Sequence, residues 1–310
     1  MKSLDCAIPN LESELRELLA QVPAGRVTTY GDLADALGLR AAARWVGEYL
    51  REHEHAPGCP CHRVLRKDGE LGLFHKHSPA AQKAQRLRRE GVRVVDGVVE
   101  RFPELRFRDF KSQRPLARLV ELQAKLADRV RLDPYHGVPS LVAGLDVSYA
   151  GKGLAVGACA VVETASGRVA WSTTCRQAAA LPYIPSLLTF REVPLLLSLF
   201  ETARQAVPEL DLFLVDGNGI LHPRGAGVAA CFGVLADVPT IGVAKSLLCG
   251  QVAADAASIN GRPAIAVDGK VVGAVLARSE RRDTRKARRA RAVARPNGGS
   301  RWARFVLRAT

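Results

Sequence analysis

Between Phe102 and Arg114 the chain shows no hydrophobic period, and the stretches on either side are patterned for different secondary structure. Short helical stripes dominate before the break. Long period-two alternations closed by glycine-containing turns dominate after it. A chain divided this way is expected to build two cores, and 310 residues suffice for two ordinary ones. Before the break, Asn10 can cap a helix whose Leu11, Leu15, Leu18 and Leu19 share a face, with Glu12 and Glu14 in its first turn. Asp32–Leu37 and Ala41–Arg51, joined by Gly38-Leu39-Arg40, suit a helix-turn-helix. A further helix is expected from Ser78-Pro79 to Gly91, followed by a hairpin over 92–100 turning on Asp96-Gly97.

After the break, Leu116, Leu119, Val120, Gln123, Leu126 and Val130 form a helical stripe. Strands are expected at Leu141–Tyr149, Leu154–Glu163, Arg168–Arg176, Asp211–Asp216 and Thr240–Val243, with a helix at Val228–Leu235. Asp268-Gly269 should turn a hairpin between Ala264–Val267 and Lys270–Leu276. These patterns predict an α/β fold of two domains, the first small and helical, the second built on a mixed sheet. The expected division is 1–101, a linker 102–114, a second domain 115–277 and an atypical basic tail 278–310.

The net charge of +14 lies mostly in that tail, where twelve basic residues face only Glu280 and Asp283, leaving +4 for the rest. Its Arg/Ala bias without apolar periodicity reads as disorder or a solvated helix, or as the product of a shifted reading frame in a GC-rich gene. The longest apolar runs, such as 193–200, fall well short of the ~20 residues a membrane span needs. Seven cysteines are an odd number, spread too thinly for a disulfide framework, so a reducing, cytoplasmic setting without membrane contact is expected.

Two groups of residues carry candidate chemistry. In GCPCHRV, Cys61 is flanked by His62, a base able to favour the thiolate, although a cysteine in such a place can also be an inert buried side chain. His53, His55, Cys59, Cys61 and His62 have the donor types of a zinc site, at a spacing that fits no standard finger. Separately, Asp146, Glu192 and Asp216 fall where strands and turns meet, and two aspartates from adjacent strands with a glutamate make the hard oxygen cage that Mg²⁺ (or Mn²⁺) takes.

The segments VPAGRVTTYGDLADALG, AAARWVGEYL, PCHRV and RREGV resemble, in order and spacing, the DNA-binding domain of O6-alkylguanine-DNA alkyltransferases and alkyltransferase-like proteins over about residues 11–100. The resemblance implies that Cys61 accepts the alkyl group of a flipped-out guanine, with His62 acting through a water and Glu90 orienting it. It also implies that Tyr30 crowds the target phosphate and Arg44 fills the vacated stack. VAGLDVSY, PYIPSLLTFREVP and LFLVDGNGILHPRGAGVAACFGVLADVPTIGVAKSLLCG are similar to endonuclease V, an RNase H-like nuclease that cuts near deoxyinosine, over about residues 115–277. That similarity implies metal ligation by Asp146 and Asp216, catalytic roles for Glu192 and Lys245, a wedge at Tyr183, and close backbone approach to the base at Gly217 and Gly219. The family's Ser-Pro-Gly-His segment is replaced, and no histidine follows His222. The expected partner is damaged single- or double-stranded DNA, carrying alkylguanine or deoxyinosine, with no obligate protein partner. A non-catalytic lesion sensor and an inosine-RNA endoribonuclease are the competing readings.

Overall fold

The computed structural model describes residues 8–54, 58–72, 74, 80–151, 153–252, 258–259, 261–276 and the backbone of 304–309. The expected helix start at Ser78-Pro79, His55 and most of the basic tail lie outside the described residues. The chain divides into two compact units, Met1–Leu122 with Ala178–Pro194, and Gln123–Gln177 with Leu195–Thr310.

In the first unit, α1 (Leu11–Ala20) starts at Asn10, whose side chain accepts from Ser13 N at 3.1 Å, and buries Leu11, Leu15, Leu18 and Leu19. Strand β1 (Thr28–Thr29) leads into α2 (Tyr30–Ala36). There Thr29 and Asp32 form a reciprocal capping box that satisfies two otherwise orphaned N–H groups. A one-turn 3-10 helix at Arg40–Ala42 then feeds α3 (Ala43–Glu52), the second helix of the expected helix-turn-helix. Strand β2 (Val64–Leu65) pairs parallel with β1. After α4 (Ala80–Arg89) comes the hairpin of β3 (Val94–Val95) and β4 (Val98–Val99). Its turn residues Asp96 and Gly97 both have positive φ, 48° and 79°, as a type I′ turn requires.

The aperiodic stretch after Arg101 contains a short helix, α5 (Phe102–Leu105), and Phe102 is buried in the core formed by Val27, Leu65, Leu87 and Val99. Val27 exchanges backbone hydrogen bonds with Leu105 and Phe107, and Arg106 grips Asp32 through two bonds of 2.8 Å. Periodicity could not show this, because the segment is held by backbone pairing and an ion pair rather than by a repeating apolar face. The helix α6 (Pro115–Ala127) begins against the end of α2, where Leu116 N donates to Leu37 O. Gly38 has φ 98°, and a Cβ there would lie 2.7 Å from Ala117 N, so only glycine fits.

In the second unit, β5 (Leu141–Ala150) and β6 (Leu154–Glu163) pair antiparallel over their full length, and β7 (Val169–Ala178) lies beyond β6. The helix α7 (Leu188–Ala206), which belongs to this unit from Leu195 on, is followed by β8 (Phe213–Asp216), α8 (Val228–Ala236) and β9 (Thr240–Ala244). Strands β5, β8 and β9 are mutually parallel, so the sheet is mixed, as expected. Phe200, Phe213 and Phe232 meet edge to face at 5.3 to 5.9 Å, joining the two helices to β8. A Cβ at Gly157 would stand within 3.0 Å of Leu195 and Leu199, so α7 packs directly on the backbone of β6.

The sheet continues through β10 (Gln251–Val252), β11 (Ser258–Ile259), β12 (Arg262–Val267), β13 (Lys270–Leu276) and β14 (Arg304–Ala309), in the order β10-β12-β13-β14-β9-β8-β5-β6-β7, with β11 on β12. Strand β14 corrects the reading of the tail as disorder or solvated helix for its last residues, which pair antiparallel with both β9 and β13. Two strands with unpaired edge groups can capture even a short segment, and Phe305-Val306-Leu307 is a β-forming run that the arginine-rich context obscures.

Asp32, 7 % exposed, caps α2 and pairs with Arg106, so its removal strands a largely buried guanidinium. Asp32→Ala is expected to lower the first unit's unfolding free energy by about 3 kcal/mol, read from the shift of its denaturant midpoint. A shift below about 1 kcal/mol would show that the pair carries no weight in the fold.

Candidate active sites

The first candidate site is built on a 3-10 turn, Pro60–Arg63. Pro60 opens it with a preset φ, and the tight turn carries Cys61 (4 % exposed) and His62 (6 % exposed) into the interior. His62 Nε2 lies 2.8 Å from Glu90 Oε1, at the end of the α4 segment. Glu90 also accepts from Arg63 Nε at 3.1 and 3.0 Å, from Arg63 Nη2 at 2.7 Å and from Gly25 N at 3.3 Å. Burial alone would raise the proton affinity of this carboxyl, but the bonds from Arg63 and His62 outweigh it and hold the group down at about 2. Glu90 is therefore a carboxylate that accepts from His62 Nε2, leaving the ring's other nitrogen, Nδ1. That atom is buried and has no hydrogen-bond partner among the described residues.

Around the thiol, Cys59 stands beside Cys61, and its sulfur together with burial pushes the Cys61 thiol far above its usual range. His53 Nε2 approaches Cys59 Sγ to 3.3 Å while its Nδ1 lies 3.0 Å from Leu50 O. The Cys59 sulfur raises the proton affinity of His53. Sequence reasoning missed Lys83, which is 1 % exposed and donates to Val64 O at 2.5 Å and to Leu71 O. Burial brings its ammonium down to about 7. The signal was present, since Lys83 stands one turn before Leu87 on the buried face of α4.

Tyr30 opens α2; its ring centroid is 6.0 Å from Lys83 Nζ, and burial keeps the phenol neutral by raising its proton affinity. Arg44 projects from α3 with its side chain 81 % exposed, paired with Glu48 at 3.1 Å. Thus Cys61, His62 and Glu90 come together, while Arg44 lies on the outer face of the helix-turn-helix.

The second candidate site lies at the ends of two parallel strands. The β5–β8 register aligns Leu145 with Val215, so the next residues, Asp146 and Asp216, stand side by side, about 4.8 Å apart in backbone and on the same face. Partial desolvation and the Asp216 charge both raise the proton affinity of Asp146, and Lys245 opposes them. Lys245, just after β9, places Nζ 2.5 Å from Asp216 Oδ2. Two adjacent carboxylates, one of them with a raised proton affinity, form a donor set that suits a hard divalent cation.

The turn after Asp216 is packed backbone to backbone. A Cβ at Gly242 would lie 2.5 Å from Gly219 N and 2.7 Å from Gly217 O, and Gly227 N donates to Gly219 O. Gly217 itself donates to Val243 O at 2.9 Å. Buried Gln123 braces the far side of this loop, donating to Ala226 O and accepting from Arg224. His222 is buried and accepts from Arg224 N; burial, aided by Arg224, brings it down to about 4, so it is neutral near pH 7. Glu192 and Tyr183 belong to the 178–194 segment of the first unit, Glu192 buried on α7 and Tyr183 58 % exposed.

Comparison with known proteins finds a family match for each half of the chain. A family model described as the 6-O-methylguanine DNA methyltransferase DNA binding domain matches residues 10–92, and one described as endonuclease V matches 124–285. A protein named bifunctional methyltransferase/endonuclease from Thermoplasma volcanium is 36 % identical over 88 % of this chain and 80 % of its own. A protein of the same name from Picrophilus torridus is 36 % identical over 81 % of this chain and 78 % of its own. The catalytic domain of human endonuclease V matches at TM-score 0.50 and 28 % identity, covering 64 % of this chain and 82 % of that one.

Glu90 has its carboxyl held at about 2 against an ordinary 4.5, so the fold favours its ionised form. The stability this contributes is complete above about pH 5 and disappears as pH falls through about 2. The difference in unfolding free energy between wild type and Glu90→Gln is therefore expected to shrink steadily over that window. A difference independent of pH would show that the carboxylate charge is not what the site holds.

Proposed function

Because this chain belongs to the bifunctional methyltransferase/endonuclease family, we propose that its first unit transfers alkyl groups from O6-alkylguanine in DNA to Cys61 and that its second cleaves DNA near deoxyinosine with Mg²⁺ or Mn²⁺. The chain is a DNA-repair protein with an alkyl-transfer half and a nuclease half.

In the first half, Glu90 fixes His62 as the Nε2–H tautomer, leaving Nδ1 as base toward the thiol, by the water relay that the family resemblance implies. The Cys61 sulfur forms a C–S bond as the C–O6 bond of the lesion breaks. The thiol proton passes to His62 and on to the departing guanine, which leaves as the neutral base. The thioether is stable, so each chain acts once. A thiol held strongly protonated before substrate binds is protected from adventitious alkylation, and the proton must be removed in the transfer step itself. Tyr30, at the start of the helix-turn-helix, and Arg44, on its exposed face, take by the family resemblance the rotation of the base out of the duplex, and the exposure of Arg44 supports that reading.

In the second half, Asp146 and Asp216 would hold the cation, which supplies Lewis-acid activation of a phosphodiester when bound. Lys245 pairs with Asp216 and sets a positive charge that suits a backbone phosphate. The glycine-packed turn at Gly217 and Gly219 offers backbone N–H and C=O groups to the base without side-chain obstruction. By the family resemblance alone, Glu192 takes a catalytic role and Tyr183, an exposed aromatic, that of the wedge that replaces lost stacking. The observation that carries this half is the β5–β8 register that sets the two aspartates together. We read the protein as cytoplasmic, a reading that the free thiols of the described cysteines support; no helix among the described residues is long and apolar enough to cross a membrane.

Labelled methyl groups from O6-methylguanine DNA should appear on wild type and not on Cys61→Ala. Nicking of deoxyinosine DNA under Mg²⁺ should fall about 100-fold or more in Asp146→Ala. Labelling of Cys61→Ala, or undiminished nicking by Asp146→Ala, would refute the corresponding half. Preference for inosine RNA in the same assay would replace DNA by RNA as the nuclease substrate.

A further inference from the structure

The residues beside the acceptor cysteine converge in a way that alkyl transfer does not require. His53 Nε2, Cys59 Sγ and Cys61 Sγ all lie within 4.8 Å of one another, with the His53–Cys59 distance already 3.3 Å. Tetrahedral zinc, with Zn–S near 2.3 Å and Zn–N near 2.0 Å, holds its ligands about 3.5 to 3.8 Å apart. The three atoms are therefore within roughly 1 Å of a coordination triangle without any rearrangement of the backbone.

The histidine is also presented as a ligand. Leu50 O can only accept, so the 3.0 Å contact from His53 Nδ1 puts the proton on that nitrogen and leaves the Nε2 lone pair aimed at Cys59. The ring is further held by stacking on Tyr49, centroids 5.5 Å apart and planes 19° apart, at the C-terminus of α3. A carbonyl-oriented imidazole with two cysteine sulfurs at its other nitrogen is the arrangement of a soft or borderline metal site rather than of a hard one. The sequence spacing, His53 to Cys59 to Cys61, fits no standard finger because its ligands come from a helix end and a 3-10 turn instead of two knuckles.

We propose that His53, Cys59 and Cys61 form a binding site for a thiophilic divalent cation such as Zn²⁺, with solvent at the fourth position. On binding, each sulfur coordinates as thiolate and releases its proton to solvent, and neutral His53 contributes Nε2; no electron is transferred. The occupied site commits the Cys61 sulfur as a ligand. Metal and alkyl group therefore compete for it. The site is chemically distinct from the all-oxygen pair at Asp146 and Asp216, and it stands whether or not Cys61 accepts alkyl groups.

Titration of the reduced, full-length protein with Co²⁺ separates the two kinds of site by spectrum. Wild type is expected to develop a thiolate-to-cobalt charge-transfer band in the near ultraviolet with intense tetrahedral d–d bands in the visible, saturating at one equivalent and bleached by Zn²⁺. Cys59→Ser and His53→Ala, two independent and mild changes, should each weaken this binding by about 100-fold or more. Weak octahedral bands alone, or a charge-transfer band unchanged in both variants, would overturn the proposal.

Discussion

A carboxylate taken out of water has to be met by a cation or by N–H donors, and that requirement organises both units of this protein. Asp32 is closed by Arg106 and the Thr29 hydroxyl and backbone, which ties α2 to the segment after α5. Glu90 is closed by Arg63, His62 and Gly25 N, which ties the active turn to the end of α4 and to the loop after α1. Asp216 is met by Lys245 across the ends of β8 and β9. Each pair joins segments distant in sequence, and the second also holds its carboxyl ionised.

The two centres use this constraint in opposite ways. At Glu90 the compensation is complete: the carboxylate accepts from Arg63, His62 and Gly25 N. At Asp146 and Asp216 it is incomplete, because one lysine faces two carboxylates and Asp146 carries a raised proton affinity. A saturated acid is a fixed structural anion. An under-compensated pair suits a cation, and the difference follows from counting donors rather than from residue type.

Lys83 and the cysteine–histidine group lie in the same small core and show how the first unit tolerates polar groups inside. Lys83 places its ammonium against two backbone carbonyls that have lost water, spanning β2 and the loop beyond it. His53 closes α3 and turns its second nitrogen to Cys59. Both are polar residues recruited to satisfy backbone acceptors.

Much of the fold was legible in the chain itself. The Asn10 cap, the Asp96-Gly97 turn and the ten-residue alternation of Leu154–Glu163 are local signals, and local structure follows them because each depends on neighbours only a few residues away. The motifs likewise named Cys61, His62, Asp146 and Asp216. Tertiary structure alone decided that Phe102 enters a core, that Arg304–Ala309 fills a gap between β9 and β13, that Lys83 is buried and that His53, Cys59 and Cys61 converge. Those outcomes depend on which distant groups lack a hydrogen-bond partner or an apolar neighbour, and that shortage exists only once the chain has folded back on itself.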